Sequence, residues 1–307
     1  MSMRLFQRLL IYVLLTLGAV TCLIPLLWMV STGLKPEDQT MSMPPTWIPY
    51  RLYVEQNGVL TEIAKKDLDK YPKARIVRKI APRWSNFAKA IEYMKYFPLY
   101  LKNTLILCFL TVIGTVSSSA LAAYGFSRVK WRGRDKLFVM ALATMMVPFP
   151  VVMVPLYCLF RWLGWIGTLK PLWVGSFFAG AFNVFLLRQF FMTIPKDLSE
   201  AARIDGCSEF RIFWQIVLPL CRPALMVVAL FQFMFTWNDF LGPLIFLTKQ
   251  QNYTLALGLQ FYQSQHGGTE WHYLMAASTL VALPIIVLFF FTQKTFIEGI
   301  SMTGIKG

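Results

Sequence analysis

The chain has 307 residues, of which 56% are hydrophobic, 16% aromatic and only 15% charged, with a formal net charge of +15. A soluble domain carries about a quarter of its residues charged, so this composition excludes an ordinary water-soluble enzyme and points to an integral membrane protein. The positive balance does not call for nucleic acid, which wants a soluble basic face with aromatic platforms.

Uncharged stretches cover residues 9–34, 103–127, 137–160, 171–187 and 271–293, and a sixth, 223–248, is broken only by Asp239. A spanning helix needs about 20 apolar residues, so the pattern predicts six crossings. The first follows Arg4 and Arg8 but is too long for the apolar core of a secretory signal and has no small-x-small cleavage site before Lys35, so it is expected to be retained. The fourth is the shortest. It is expected to continue past Arg188 through Phe190, Phe191 and Ile194, with the arginine snorkelling toward the head groups.

With six crossings both termini share one side. The short loops on that side carry Arg4, Arg8, Arg128, Lys130, Arg132, Arg134, Lys136, Arg188, Lys196, Arg203, Arg211, Arg222, Lys294 and Lys306, against Arg161, Lys170 and Lys249 on the other. This asymmetry predicts that both termini and the loops near 128–136 and 195–219 are cytoplasmic. The basic residues of 35–98 fall outside, where a loop of more than about 60 residues escapes the rule.

That outer segment has texture of its own. "PPTWIP" at 44–49 is a turn-rich exit from the first helix. Residues 52–64 alternate apolar and polar about Asn57-Gly58, the signature of a type I′ hairpin, and 74–80 offers a third strand. Residues 84–97 place Phe87, Ala90, Ile91, Met94 and Phe97 at helical spacing, as in an amphipathic helix on the outer surface.

Signals for covalent chemistry are missing. The five cysteines lack CxxC spacing, His266 and His272 lack HExxH or an acidic partner at ligand spacing, and there is no GxxxxGK[ST] loop to cradle phosphates. No metal site is expected. An intramembrane hydrolase would need a base inside the spans, and the two histidines flank a polar outer turn, His272 at the outer edge of the last stretch.

Against this background the polar stretch "EAARIDGCSEFRIFWQIVLPL" at 200–220 stands apart. Pro195 suits a first helical turn, Asp197 an N-cap, Glu200 its capping-box partner and Gly206 a left-handed stop. The expected short helix, 197–205, carries Leu198, Ala201, Ala202 and Asp205 on one face and Glu200, Arg203 and Ile204 on the next. Two adjacent alanines make a surface shallow enough for close docking. Ser208 then caps a second helix bearing Phe210, Phe213, Ile216 and Val217, ended by Pro219. By geometry alone the stretch reads as a capped connector between two spans.

"EAA" at 200–202, Gly206 after three intervening residues and "IVLP" at 216–219 after nine more resemble the cytoplasmic signature loop of ATP-binding-cassette (ABC) importer permeases. "TWNDFLGPLIFL" at 236–247, "YTLALGLQFY" at 253–262, the stretch 271–300 and the terminal "GIKG" resemble the carbohydrate members, of the maltose-type second-permease kind. The likeness runs from about residue 84 onward, with the first helix and "GLKPEDQ" at 33–39, while 51–82 is a longer outer insertion than the core family has.

The resemblance implies an all-α membrane protein with the six-helix type I ABC importer permease fold. Residues 1–34 would be the cytoplasmic tip and first helix, 35–98 an extracytoplasmic loop with a small hairpin, 99–294 the transmembrane domain with its coupling loop at 195–219, and 295–307 a cytoplasmic tail. It implies a non-catalytic subunit in a bacterial or archaeal inner membrane, importing a sugar, expected to be an oligosaccharide. The implied partners are a second permease of different sequence, two ATPase subunits that hold ATP and Mg, and an extracytoplasmic solute-binding protein, with no cofactor on this chain. Glu200, Ala201, Ala202, Asp205, Gly206, Ile216, Leu218 and Pro219 map onto the ATPase-coupling motif. Trp237, Asn238 and Asp239, beside Gly242-Pro243, are the candidate sugar-path residues at a helix break. The alternative is a carrier driven by an ion gradient, for which Asp239 is the sole intramembrane carboxylate.

Overall fold

The computed structural model describes residues 3–56, 59–63, 67, 70, 71, 75–262 and 269–304. Asn57-Gly58 and His266 lie outside the described residues. In chain order the elements are helix α1 (Met3–Gly33), strands β1 (Tyr50–Gln56), β2 (Val59–Ile63) and β3 (Arg75–Ile80), then helices α2 (Ser85–Tyr93), α3 (Phe97–Ser127), α4 (Arg134–Ala143), α5 (Phe149–Trp162), α6 (Ala181–Thr193), α7 (Lys196–Ile204), α8 (Glu209–Leu220), α9 (Arg222–Asn238), α10 (Leu241–Phe246) and α11 (Trp271–Gly304). Among the described residues four helical segments are long and apolar enough to cross a bilayer, or up to six when each of two bent pairs counts as one crossing.

Two of the expected apolar runs are broken, the second where a helix break was expected beside Gly242-Pro243. The apolar run 137–160 is broken between α4, with its following turn, and α5 at 97°. Val147 is extended (ψ 112°) because Pro148 pushes its predecessor out of the helical region. The run 223–248 is likewise α9 and then α10. Between them Asp239 is extended (ψ 114°), and its Oδ1 accepts a hydrogen bond from the Gly242 N–H at 3.0 Å. A β-carbon at Gly242 would stand 2.5 Å from Asp239 Oδ2, so the break needs glycine there. Arg188 does not snorkel: it donates to the Phe126 carbonyl at 3.2 Å and lies 4.3 Å over the Phe138 ring. The last turn of α3 leaves free carbonyls, which supply it with a partner inside the fold. Finally, α11 runs through Gly304, so most of the expected tail extends the last helix.

The chain divides into two compact units, Met1–Phe97 with Leu259–Pro284 and Pro98–Gly258 with Ile285–Gly307. In the first, β1 is the central strand and pairs antiparallel with both β2 and β3, so the expected hairpin is part of a three-stranded sheet. Leu52 and Val54 are buried on one of its faces, and Glu62 joins Arg51 (3.2 Å) and Arg83 (2.6 Å). Of the expected stripe Phe87, Ala90, Ile91, Met94 and Phe97, helix α2 and its end bury Ala90 and Met94, whereas Ile91 is exposed and Asn86 is buried in addition. The reason is polar: Asn86 donates to the carbonyls of Gly33 and Lys35 at 2.9 and 2.8 Å, acceptors left free where α1 ends. None of the apolar window of α1 is buried within the chain, as suits a helix meant for lipid or another apolar helix.

In the second unit a hydrophobic core lies where α3, α6 and α9 meet α7 and α8. Ala120, Tyr124, Leu187, Phe191, Ala202, Ile212, Phe213, Val217 and Val228 are buried there together.

Candidate functional site

Residues 195–221 leave α6, turn back through α7 and α8, and enter α9. Helix α7 begins at Lys196 behind Pro195 (φ −53°, ψ 137°), and no side-chain bond caps it. The expected capping box of Asp197 and Glu200 is therefore not made. Proline's fixed φ starts the helix earlier than an Asp197 cap requires, so both acids already lie inside it. The stop is where the sequence places it: Gly206 has φ 80°, its N–H meets the Arg203 carbonyl at 3.0 Å, and the Cys207 N–H meets the Ala202 carbonyl at 2.9 Å. These are the paired bonds of a Schellman motif. Ser208 Oγ then accepts from the Arg211 N–H at 3.3 Å to open α8. Pro219 does not end that helix. A π turn over Phe213–Val217 makes room for the proline ring, which would otherwise press on the carbonyl four residues back, and α8 continues to Leu220 before meeting α9 at 80°.

The expected face of Leu198, Ala201, Ala202 and Asp205 is split. Ala202 and Ser199 turn into the core, whereas Leu198, Glu200, Ala201, Ile204, Asp205 and Gly206 are exposed, Ile204 at 87%. The two alanines thus have different tasks: Ala202 is small so that α7 can sit on its own chain, and Ala201 keeps the open side shallow. Ile216 and Leu218 are half-buried and Pro219 is exposed. Phe210 and Trp214 stack outside α8 with ring centroids 6.4 Å apart. Leu198 and Ile204 on one helix, with two aromatics on the next, make an apolar surface that asks for cover.

A polar frame fixes this surface to the spans. Glu209 accepts from Arg203 Nε and from the Tyr124 hydroxyl, both at 2.6 Å, so α7, α8 and α3 meet at one carboxylate. Arg128, just past α3, donates to the carbonyls of Phe191 and Ile194, which α6 leaves free at its C-terminal end. Sequence reasoning noted Arg203 and Glu209 as charges but not as partners, because a separation of six across a glycine turn is not a helical spacing. Tyr124 lies 85 residues away and gave no local signal.

The candidate path residues are placed unevenly. Trp237 is 2% exposed and stacked on Phe233 (5.4 Å, 24°), so its indole is packed within the chain. Asn238 is exposed and donates to the Met234 carbonyl at 2.8 Å, while Asp239 is occupied with Gly242. Unmarked in the sequence is a polar chain through the membrane interior: Gln232 Nε2 reaches Thr236 Oγ1 at 3.0 Å, which lies 2.9 Å from Thr111 Oγ1 and so ties α9 to α3.

A short helical hairpin on a core shared with the long helices has counterparts among known proteins. Residues 104–301 match the model of the family described as "Binding-protein-dependent transport system inner membrane component". The chain belongs to this family. It is 30% identical over 303 residues to the trehalose/maltose transport system permease protein MalG of Thermococcus litoralis, covering 98% of each chain. It is 36% identical over 219 residues to the arabinooligosaccharides transport system permease protein AraQ of Bacillus subtilis, covering 70% of this chain and 74% of that one. The crystal structure of a bacterial ABC transporter involved in the import of the acidic polysaccharide alginate contains a chain of the same fold, with a TM-score of 0.75 at 20% identity, over 96% of this chain and 98% of that one. As a family member the chain is a multi-pass inner-membrane transport component, and the ion-gradient carrier gives way to a binding-protein-dependent system.

Proposed function

We propose that this chain is a non-catalytic permease subunit of an ATP-driven oligosaccharide importer, forming half of the translocation path beside a second, different permease chain. The names of the trehalose/maltose and arabinooligosaccharide relatives support the sugar class. The observation that carries the coupling role is the divided burial of α7: Leu198, Ala201 and Ile204 are open, while the neighbouring Ala202 is buried in the core that holds α3, α6 and α9. In this reading both termini and the α7–α8 hairpin are cytoplasmic, two ATPase subunits hold ATP and Mg, and this chain binds no cofactor. An external solute-binding protein delivers the sugar. Closure of the ATPase pair displaces α7, and the spans follow because they share its core. Gly206 sets the turn, Glu200 and Asp205 flank the docking face with charge, and Ile216, Leu218 and Pro219 shape the return to α9.

Omission of single components tests the reading. Proteoliposomes holding both permeases, the ATPase and the loaded binding protein are expected to take up labelled oligosaccharide only when every component and ATP are present, and the purified chain alone is expected to hydrolyse no ATP. Uptake driven by a proton gradient without ATP, or hydrolysis by this chain alone, would overturn it.

A further inference from the structure

Beside α7 lies a cleft of about 450 Å³, bordered by the end of α3, the loop into α4 and the first turns of α7. Arg128, Lys130, Arg134, Lys196 and Arg203 line it with Ser199, against the carboxylates of Glu200 and Glu209. Three of the five cations are engaged: Arg203 with Glu209 at 2.6 Å, Arg134 with Asp135 at 3.0 Å, and Arg128 with two carbonyls. Lys130 and Lys196 are exposed, and among the described residues neither forms an ion pair. Behind them Ser199 Oγ, on a side chain 2% exposed, and Arg128 Nε have no hydrogen-bond partner. A buried donor left without an acceptor is costly. The first-turn amides of the nine-residue α7 also lack a side-chain cap. Two free ammonium groups, unsatisfied donors and an uncapped helix start all favour an oxyanion.

The position narrows its source. The cleft sits between the end of the apolar span α3 and the start of α4, and in the loop joining them the Trp131 indole donates to the Gly125 carbonyl at 3.0 Å. A tryptophan at a span end marks the head-group level, and the proposed orientation puts this level in the cytoplasmic leaflet. We propose that this cleft binds the phosphate of an anionic phospholipid head group, held by Lys130 and Lys196 and backed by Ser199 and Arg128. The lipid would then lie against Glu200, beside the coupling surface. The inference rests on the proposed orientation, but its test requires no transport, so failure of one is distinguishable from failure of the other.

The purified full-length chain is placed in nanodiscs of phosphatidylcholine containing a graded fraction of phosphatidylglycerol, then extracted, and the retained lipid is identified by native mass spectrometry. Phosphatidylglycerol is expected to be retained in preference to phosphatidylcholine, and the preference is expected to fall roughly ten- to thirtyfold in Lys130→Gln/Lys196→Gln. Ser199→Ala, which keeps both lysines, is expected to weaken it by about threefold. Equal retention of the two lipids by the wild type overturns the proposal even if the double variant fails to fold. Unchanged preference in a folded double variant also overturns it. Displacement by inorganic phosphate rules out lipid as the source of the anion, and loss of lipid on adding the ATPase subunits assigns the cleft to an acidic segment of that partner.

Discussion

The α7–α8 hairpin and the β1–β3 sheet are both polar insertions between apolar helices, and they are held by different forces. The hairpin buries Ala202, Ile212, Phe213 and Val217 in a core shared with three spans. The sheet buries Leu52 and Val54, and its side-chain ties include the exposed ion pairs Arg51–Glu62, Arg83–Glu62 and Arg75–Glu55. Burying one large aliphatic side chain stabilises by about 1.5–3 kcal/mol, whereas an exposed ion pair is worth about 0–1 kcal/mol. An element packed as the hairpin is cannot be displaced without moving the spans. The sheet, with fewer buried side chains, is expected to open more easily than the hairpin.

The largest expected effect comes from Gly206→Asp. A β-carbon in the left-handed conformation costs roughly 1–2 kcal/mol, and the new charge faces whatever docks on α7. Uptake is expected to fall by more than about tenfold at normal membrane levels; wild-type uptake would reduce the hairpin to a connector. Next is Ala202→Leu, where overpacking the shared core is expected to cost about 1–3 kcal/mol and lower thermal stability together with uptake. The same substitution at exposed Ala201 is expected to spare stability and lower uptake alone. Equal behaviour of the two variants in a melting assay would break the two-sided account of α7.

Glu209→Gln follows. It weakens the junction with Arg203 and Tyr124, and because that ion pair is solvent-exposed the cost is expected to be about 1 kcal/mol or less, seen as a severalfold drop in sugar-stimulated ATP hydrolysis. Full stimulation would show that packing alone carries the motion.

Smallest is Glu62→Gln in the sheet. Burial pushes the Glu62 carboxyl up, but hydrogen bonds and charge from Arg83 and Arg51 outweigh it and hold the pKa below the ordinary value. The contribution of the ionised form is thus complete above the ordinary carboxylate pKa of about 4.3 and lost as pH falls through the lower folded value. Protection of the β1 amides, relative to their intrinsic exchange rate at each pH, is expected to fall in acid in the wild type and to lose that pH dependence in Glu62→Gln, with uptake unchanged. A large uptake defect would mean that the sheet is not the loosely tied element described above.

The parts legible in the sequence were those with local causes. Apolar run length gave the crossings, alternation gave the strands, and Gly206 and Ser208 gave the turn and the second cap. What escaped depended on distant partners. Asn86 points α2 inward because the end of α1 leaves carbonyls free, and Glu209 gains its role from Tyr124 on another helix. The proposed box of Asp197 and Glu200 gave way to a proline that starts the helix sooner, and the α4–α5 break lay in a run whose hydrophobicity alone could not show a 97° bend. The candidate coupling residues came from the resemblance of their spacing, which could not show that Ala201 is exposed while Ala202 is buried.

The central claim is that the open face of α7 docks on the ATPase, and a photo-crosslinking amino acid at Ile204, the more exposed of that helix's two large apolar residues, tests it most directly. In membranes containing the assembled transporter, irradiation is predicted to give an adduct whose mass is this chain plus one ATPase subunit, absent when the reporter replaces buried Ala202. Adducts with lipid alone at position 204, in a complex that still transports, would contradict it.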